Sequence, residues 1–155
     1  PVISADHRNK VEGYLALALE EGGQILTGGT RGEGTGFHLT PAVIAGLSPD
    51  SRCATEEIFG PVVTVHTFQT EEEALAIANG TEYGLAGSVW TSDAERGRRF
   101  AAQMDTGMVW VNTWLHRDLR VPFGGVKHSG VGREGGEWSL GFFSEAVNIC
   151  VADKA

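Results

Sequence analysis

Residues 4–21 (SADHRNKVEGYLALALEE) carry apolar positions at a helical period. Val11, Tyr14, Leu15, Ala18 and Leu19 fall at i, i+3, i+4, i+7 and i+8, which is one face of a helix. Ser4 is placed to cap its start, and Gly22-Gly23 end it. A short strand over 24–27 leads into a glycine cluster, and 37–44 reads as extended, interrupted by Pro41. The β-branched run VVTVHTF (62–68) predicts a strand. Thr70-Glu71-Glu72-Glu73 has the spacing of a capping box and opens a helix through Ala78, ended by Asn79-Gly80. Residues 85–91 (LAGSVWT) predict another strand. Ser92-Asp93-Ala94-Glu95 has the same capping spacing, with a helix to about Asp105 that buries Phe100, Ala101 and Met104. Residues 108–112 (MVWVN) follow as a strand. Strands and helices alternating from 62 to 112, with nearly continuous apolar strands, predict an α/β fold. Right-handed crossovers would give a mainly parallel sheet with flanking helices.

Residues 113–136 show no clear period. A loop that long in a compact domain is usually functional. A helical or turn segment (137–143) and a terminal strand (147–151) complete the chain. In that strand Val147, Ile149 and Val151 alternate with Asn148 and Cys150, which suits an added edge strand.

Composition narrows the classes. The chain has 155 residues, 41% hydrophobic and 21% charged. This is enough for one packed core and is unlike a disordered segment. No apolar run approaches the roughly 18 residues of a membrane span. Twelve basic against twenty acidic residues give a net charge of −8. Without a basic face, neither nucleic acid nor an anionic membrane is an expected partner. Cys53 and Cys150 form no CxxC pair, and the histidines have no metal-ligand spacing. We expect a reduced, cytoplasmic chain without bound metal. The start at Pro1, with no signal-peptide pattern, points to a processed chain or the remainder of a longer one.

Four stretches carry candidate chemistry. The cluster Gly28–Gly36 fits neither a P-loop nor a dinucleotide fingerprint and reads as a turn. The cluster Gly124–Gly136 interleaves Lys127, His128, Arg133 and Glu134. It reads either as a tight structural turn or as backbone approaching a ligand. Glu56-Glu57-Ile58-Phe59-Gly60-Pro61 is either a solvated acidic pair or a carboxylate and ring held rigid by the proline, suited to a ribose and a flat heterocycle. His116-Arg117-Asp118-Leu119-Arg120, between Trp114 and Phe123, is either a surface ion pair or an anion site for a carboxylate. Cys53 beside Glu56 and Glu57 should have a raised pKa, and Cys150 in an apolar strand should be inert; neither suits a nucleophile.

EEIFGPV (56–62), NGTEYGLAGSVWT (79–91), GMVWVN (107–112) and PFGGVKHSGVGRE (122–134), in this order and spacing, resemble the C-terminal part of the NAD(P)-dependent aldehyde dehydrogenases. PVISADHRNKVEGYL (1–15) resembles the helix start that follows their catalytic-cysteine region. NTWLHRDLRVPFGGVK and REGGEWSLGFFSEAVNIC are most similar to the 2-hydroxymuconic and 2-aminomuconic semialdehyde dehydrogenases.

The resemblance implies that residues 1–143 are the C-terminal part of a catalytic domain and 144–155 an oligomerisation strand and tail. The cofactor implied is NAD, with NADP as the alternative. Glu57 would take the nicotinamide-ribose hydroxyls and Phe59 would lie beside the nicotinamide. Asn112 and Phe123 would line the inner end of the aldehyde tunnel, and Glu134 would belong to a proton relay. Arg117, and further out Arg120, would bind a substrate carboxylate. The terminal strand would pair with a neighbouring subunit in a homo-oligomer. The nucleophilic cysteine, the general-base glutamate and the dinucleotide-binding domain are expected outside this chain, which alone would be inactive. The alternatives are a non-catalytic oligomerising paralogue, or an enzyme for another aldehyde such as betaine aldehyde or succinic semialdehyde.

Overall fold

The computed structural model describes residues 1–153. They form two compact units, residues 1–82 and residues 83 onward. In the first unit, helix α1 (Ala5–Glu20) starts at Ser4, whose hydroxyl accepts from the His7 N–H. Its buried stripe of Val11, Leu15 and Ala18 lies on the predicted face, with Tyr14 half-buried, but Leu19, also expected there, is exposed. Strands β1 (Gln24–Thr27), β2 (Ala42–Ala45) and β3 (Val62–Val65) form one sheet in that order. β1 pairs antiparallel with β2, and β2 pairs parallel with β3. The core gathers Leu15, Ala18, Ala42, Ile44 and Leu47 around Cys53. Short helix α2 (Arg52–Thr55) has no cap from its own Ser51. The Glu21 carboxylate serves instead, accepting from the Arg52 and Cys53 N–H groups at 3.0 and 3.3 Å. Helix α3 (Glu71–Asn79) begins at the expected Thr70 cap, but the return bond of the expected capping box falls one residue earlier, on Gln69. Thr70 accepts from the Glu73 N–H, and the Glu73 carboxylate accepts from the Gln69 N–H.

In the second unit β4 (Tyr83–Gly84) pairs antiparallel with β7 (Val126–Lys127), and β5 (Ala86–Val89) pairs parallel with β6 (Met108–Val111). Helix α4 (Ala94–Ala101) joins β5 to β6, and helix α5 (Gly136–Phe143) follows β7. The α/β character is as expected, but the strands form three small sheets with parallel and antiparallel pairs in equal number. β3 completes its pairing with β2, so the run from 62 to 112 is not one continuous crossover series.

Three further expectations are corrected. The cap of α4 is Asp93, not Ser92: the Asp93 carboxylate accepts from the Arg96 N–H at 3.0 Å. A charged acceptor at a helix start is the stronger cap. The helix ends at Ala101, and Phe100, Ala101 and Met104 are only half-buried, because glycine makes the close contact. A Cβ on Gly97 would lie 2.7 Å from Val111 Cγ1. Residues 147–151 form no strand; they are exposed, with Val147, Ile149 and Val151 at 79–82%. A strand needs a partner for its backbone groups, and none lies beside them among the described residues. Cys150 is accordingly exposed rather than shielded.

Candidate functional site

In the first unit the segment following α2 lies along α1, and the two adjacent glutamates part company. Glu56 is tied down: Arg52 grips it with two bonds of 2.7 and 3.1 Å, and the Tyr14 hydroxyl donates to it at 2.7 Å. The Arg52 guanidinium first, and the Tyr14 phenol second, hold the Glu56 carboxyl below its usual range despite some desolvation. The same bond pushes the Tyr14 phenol up. Glu57 is exposed, and only its carbonyl is engaged, by Lys10 Nζ at 3.4 Å. Phe59 is 70% exposed, with a left-handed φ of 56°. Its ring lies 6.2 Å from the His7 ring, and its carbonyl accepts from His7 Nε2 at 2.5 Å. Pro61 restricts Gly60, not Phe59. What fixes Phe59 is His7, together with Gly60 pressed on Val11, where a Cβ would meet Val11 Cγ2 at 2.5 Å.

An open carboxylate two residues from an open, fixed ring fits a ribose and a flat heterocycle. The carboxylate can only accept hydrogen bonds, and the ring offers an apolar face. His7, Tyr14 and Arg52 organise this segment, and sequence reading missed them. Tyr14 was visible only as part of the apolar stripe of α1, and His7 three residues after a cap carries no signal of its own.

In the second unit Arg117, Phe123 and Glu134 come together. Phe123 and Glu134 exchange backbone hydrogen bonds of 2.8 Å each way. The Arg117 guanidinium lies 4.2 Å above the Phe123 ring and donates to Glu134 Oε1 at 3.0 Å. Its side chain is 42% exposed, so one edge of the fork remains open to solvent. Arg120 is not part of this cluster. It grips Asp118 with three side-chain bonds of 2.6–3.2 Å and holds the Asp118 carboxyl below its usual range. Asn112 also spends its side chain locally: Oδ1 accepts from the Thr91 N–H and Nδ2 donates to the Thr91 carbonyl, both at 2.8 Å. It closes the open end of the β5–β6 pair.

The second glycine cluster builds the return from Phe123 to Glu134. A Cβ on Gly135 or Gly136 would lie 2.3 Å from the carbonyl oxygen of Val121 or Arg120. Arg133 Nη1 bonds the carbonyls of Gly125 and Gly132 at 2.7 and 2.9 Å. The cluster is therefore a turn made of backbone approaching backbone. An open depression of about 470 Å³ lies between Arg133 and the α5 residues Trp138 and Phe142, beside the Arg117 cluster in sequence but not lined by it.

Cys53 sits in α2 rather than in a loop and is 3% exposed. Burial, and then the Glu21 carboxylate, push its thiol up to about 11; Glu56 contributes least. Among the described residues no group of three or more His, Cys, Asp or Glu could hold a metal ion. No helix of the described residues is long and apolar enough to cross a membrane.

The aldehyde dehydrogenase family model matches residues 1–149. A 2-aminomuconic 6-semialdehyde dehydrogenase from Pseudomonas sp. is 49% identical over 97% of this chain and 32% of its own length. A betaine aldehyde dehydrogenase from Bacillus subtilis is 44% identical over 96% of this chain and 31% of its own length. Among solved structures, Mycobacterium tuberculosis aldehyde dehydrogenase complexed with NAD+ superposes with a TM-score of 0.89. It is 46% identical over 94% of this chain and 30% of that one. The chain thus spans about a third of the length of the relatives it matches. Sequence motifs, fold and family model agree, and the chain belongs to the aldehyde dehydrogenase family.

Proposed function

We propose that these residues are the C-terminal part of an NAD-dependent enzyme that oxidises a carboxylate-bearing semialdehyde to the acid. The observation that carries the reading is the Arg117 fork, stacked on Phe123 with one edge open. Such a fork pairs bidentately with a planar carboxylate and offers a neutral aldehyde nothing. The similarity to a semialdehyde dehydrogenase supports the same substrate class. The structural relative described above is complexed with NAD+, which supports NAD as the cofactor. When bound, NAD supplies the oxidant. Glu57 would accept the ribose hydroxyls, and Phe59 would cover one face of the ring. Arg117 orients the remote carboxylate, Phe123 forms an apolar wall beneath it, and Glu134 is placed to hold Arg117 or to pass a proton. Asn112 would keep the end of β6 in place through its bonds to Thr91.

Neither cysteine is assigned as the nucleophile. Cys53 is buried and its thiol is pushed up to about 11, and Cys150 lies in the exposed tail. The attacking thiolate and the general base belong to the rest of a complete enzyme. The exposed segment 147–151, with its alternating apolar residues, suits pairing with the sheet of a second subunit.

The test is kcat/KM of the complete enzyme carrying this segment, on a semialdehyde acid and on a neutral aldehyde of similar length. Arg117→Ala should cost roughly 2–4 kcal/mol on the acid, as for losing one partner of a desolvated charge pair. The neutral substrate should be unaffected or improved. Arg120→Ala, whose guanidinium is already held by Asp118, should show a smaller loss on the acid. Equal losses on both substrates for Arg117→Ala would make that arginine structural and remove the carboxylate assignment.

A further inference from the structure

Helix α1 presents a row of donors to the segment that carries Glu57 and Phe59. His7, Lys10 and Tyr14 stand at i, i+3 and i+7, so they share one face. Each reaches a different point of the segment. His7 Nε2 donates to the Phe59 carbonyl at 2.5 Å, Lys10 Nζ to the Glu57 carbonyl at 3.4 Å, and the Tyr14 hydroxyl to the Glu56 carboxylate at 2.7 Å. Between them Val11 is fully buried, and Gly60 packs on it at a distance that leaves no room for a side chain.

The shortest of these bonds falls on the residue that most needs it. Phe59 has a φ of 56°, which an aromatic residue keeps only where its surroundings hold it. A carbonyl can only accept, so the proton of His7 resides on Nε2. Nδ1 is buried and has no hydrogen-bond partner among the described residues. The ring is therefore committed to one bond, and that bond fixes the strained residue. At the other end Tyr14 and Arg52 anchor Glu56, which leaves its neighbour Glu57 turned to solvent.

We infer that His7 and Tyr14, with a weaker contribution from Lys10, are positioning residues for the cofactor half-site. They hold residues 56–59 so that the Glu57 carboxylate and the Phe59 ring are offered together, and they act through those residues. The inference rests on the reading of Glu57 and Phe59 as cofactor-binding, and the experiment separates the two.

NAD is titrated into the complete enzyme carrying this segment, with binding followed by calorimetry rather than turnover. The variants are His7→Leu, His7→Gln, Tyr14→Phe, Glu57→Gln and the His7→Leu/Glu57→Gln pair. Glu57→Gln should weaken NAD binding at least tenfold, since it removes a charged acceptor. His7→Leu should weaken it about five- to tenfold, His7→Gln should recover most of that because its amide still donates, and Tyr14→Phe should weaken it about threefold. In the Glu57→Gln background, His7→Leu should cost less than about twofold, because a residue acting through Glu57 has little left to act on. Wild-type binding in both His7→Leu and Tyr14→Phe, with Glu57→Gln still impaired, would overturn the positioning role and leave the Glu57 reading intact. So would full additivity in the pair. Unchanged binding in Glu57→Gln would overturn the half-site reading and the inference with it.

Discussion

The two units are built on different physical principles. Among the described residues, 1–82 contain eight of the nine buried apolar side chains, from Val11 to Cys53, and the second unit contributes the ninth, Trp110. What the second unit has instead is backbone against backbone. Gly107 donates its N–H to the Gly84 carbonyl at 3.1 Å, and a Cβ on it would lie 1.6 Å from the Gly124 carbonyl oxygen. A Cβ on Gly84 would lie 2.3 Å from the Asp105 carbonyl oxygen. The first unit has such contacts too, Gly28 on Pro41 and Gly23 on Ala18, but they stand beside a core. One unit is thus held by filled volume, the other by the absence of side chains where chains cross. The difference suits their proposed roles. The segment proposed to meet the cofactor rests on a helix anchored in a core, and the arginine proposed to bind substrate sits in a return that glycines fold tightly.

The contrast predicts opposite sensitivities. In the first unit, removing volume should do the damage. Ile44 is fully buried among Leu15, Ala18, Ala42 and Leu47, so Ile44→Ala should cost about 2–5 kcal/mol. In the second, adding volume should. Gly107→Ala forces a methyl onto a backbone carbonyl and should cost about 1–3 kcal/mol. Amide hydrogen exchange read strand by strand checks both: Ile44→Ala should release β2 first, and Gly107→Ala should release β6 and β7. If both variants loosen the same amides equally, the two units do not differ in this way.

Legibility in the sequence follows the same divide. The stripe on α1 and the caps at Ser4 and Thr70 are local, periodic features, and they are found where the pattern puts them. The α4 cap is misread by one residue because Ser92 and Asp93 both have capping chemistry, and only the geometry decides which accepts. Arg117, Phe123 and Glu134 are each marked in the sequence. That they meet depends on the glycine return between 124 and 133, and a list of glycines does not say which carbonyl each will face. The fates of Glu56 and Glu57 are equally hidden. They are chemically identical neighbours, and the choice between them is made by Tyr14 and Arg52 from two helices. The segment 147–151 has the alternation of a strand, but pairing is a property of two chains or two segments, not of one.

The two cysteines report the same contrast at smaller cost. Cys53 in the first unit is buried, with its thiol pushed up to about 11, whereas Cys150 in the second is exposed. At pH 8, alkylation of Cys53 in the folded protein should be at least about a hundredfold slower than after unfolding, because both thiolate fraction and access are lost. A pKa raised on folding means that the folded state favours the protonated thiol. That stability is present below the ordinary value of 9.0 and is lost as pH rises toward 11. Unfolding midpoints between pH 8 and 11 should therefore fall more steeply for wild type than for Cys53→Ala. Rapid labelling of Cys53 in the folded protein would show that the first unit opens more readily than its core implies.

The smallest effect sharpens the comparison within the first unit. Glu56 and Glu57 are adjacent but differently bonded: the Glu56 carboxyl is held low, by Arg52 first and Tyr14 second, while the Glu57 side chain is exposed. A carboxyl depressed on folding contributes stability above its ordinary value of 4.5 and loses it as pH falls through the lower, folded value. Because both partners are partly exposed, at 61% and 38%, solvent screens the pair and the contribution is modest. Glu56→Gln should therefore lower the thermal midpoint slightly at pH 7, and the gap to wild type should close below pH 4.5. Added salt at pH 7 should narrow it too. Other depressed carboxyls, Glu12 and Glu21 among them, also weaken the fold in acid. The informative quantity is consequently the difference between the two proteins, not the acid limb of either. Glu57→Gln should leave the midpoint unchanged at pH 7, since its side chain is exposed. A gap for Glu56→Gln that stays constant from pH 7 to 3 would mean that an amide serves Arg52 and Tyr14 as badly when the carboxyl is protonated as when it is charged. The hold on residues 56–59 would then owe nothing to the ion pair.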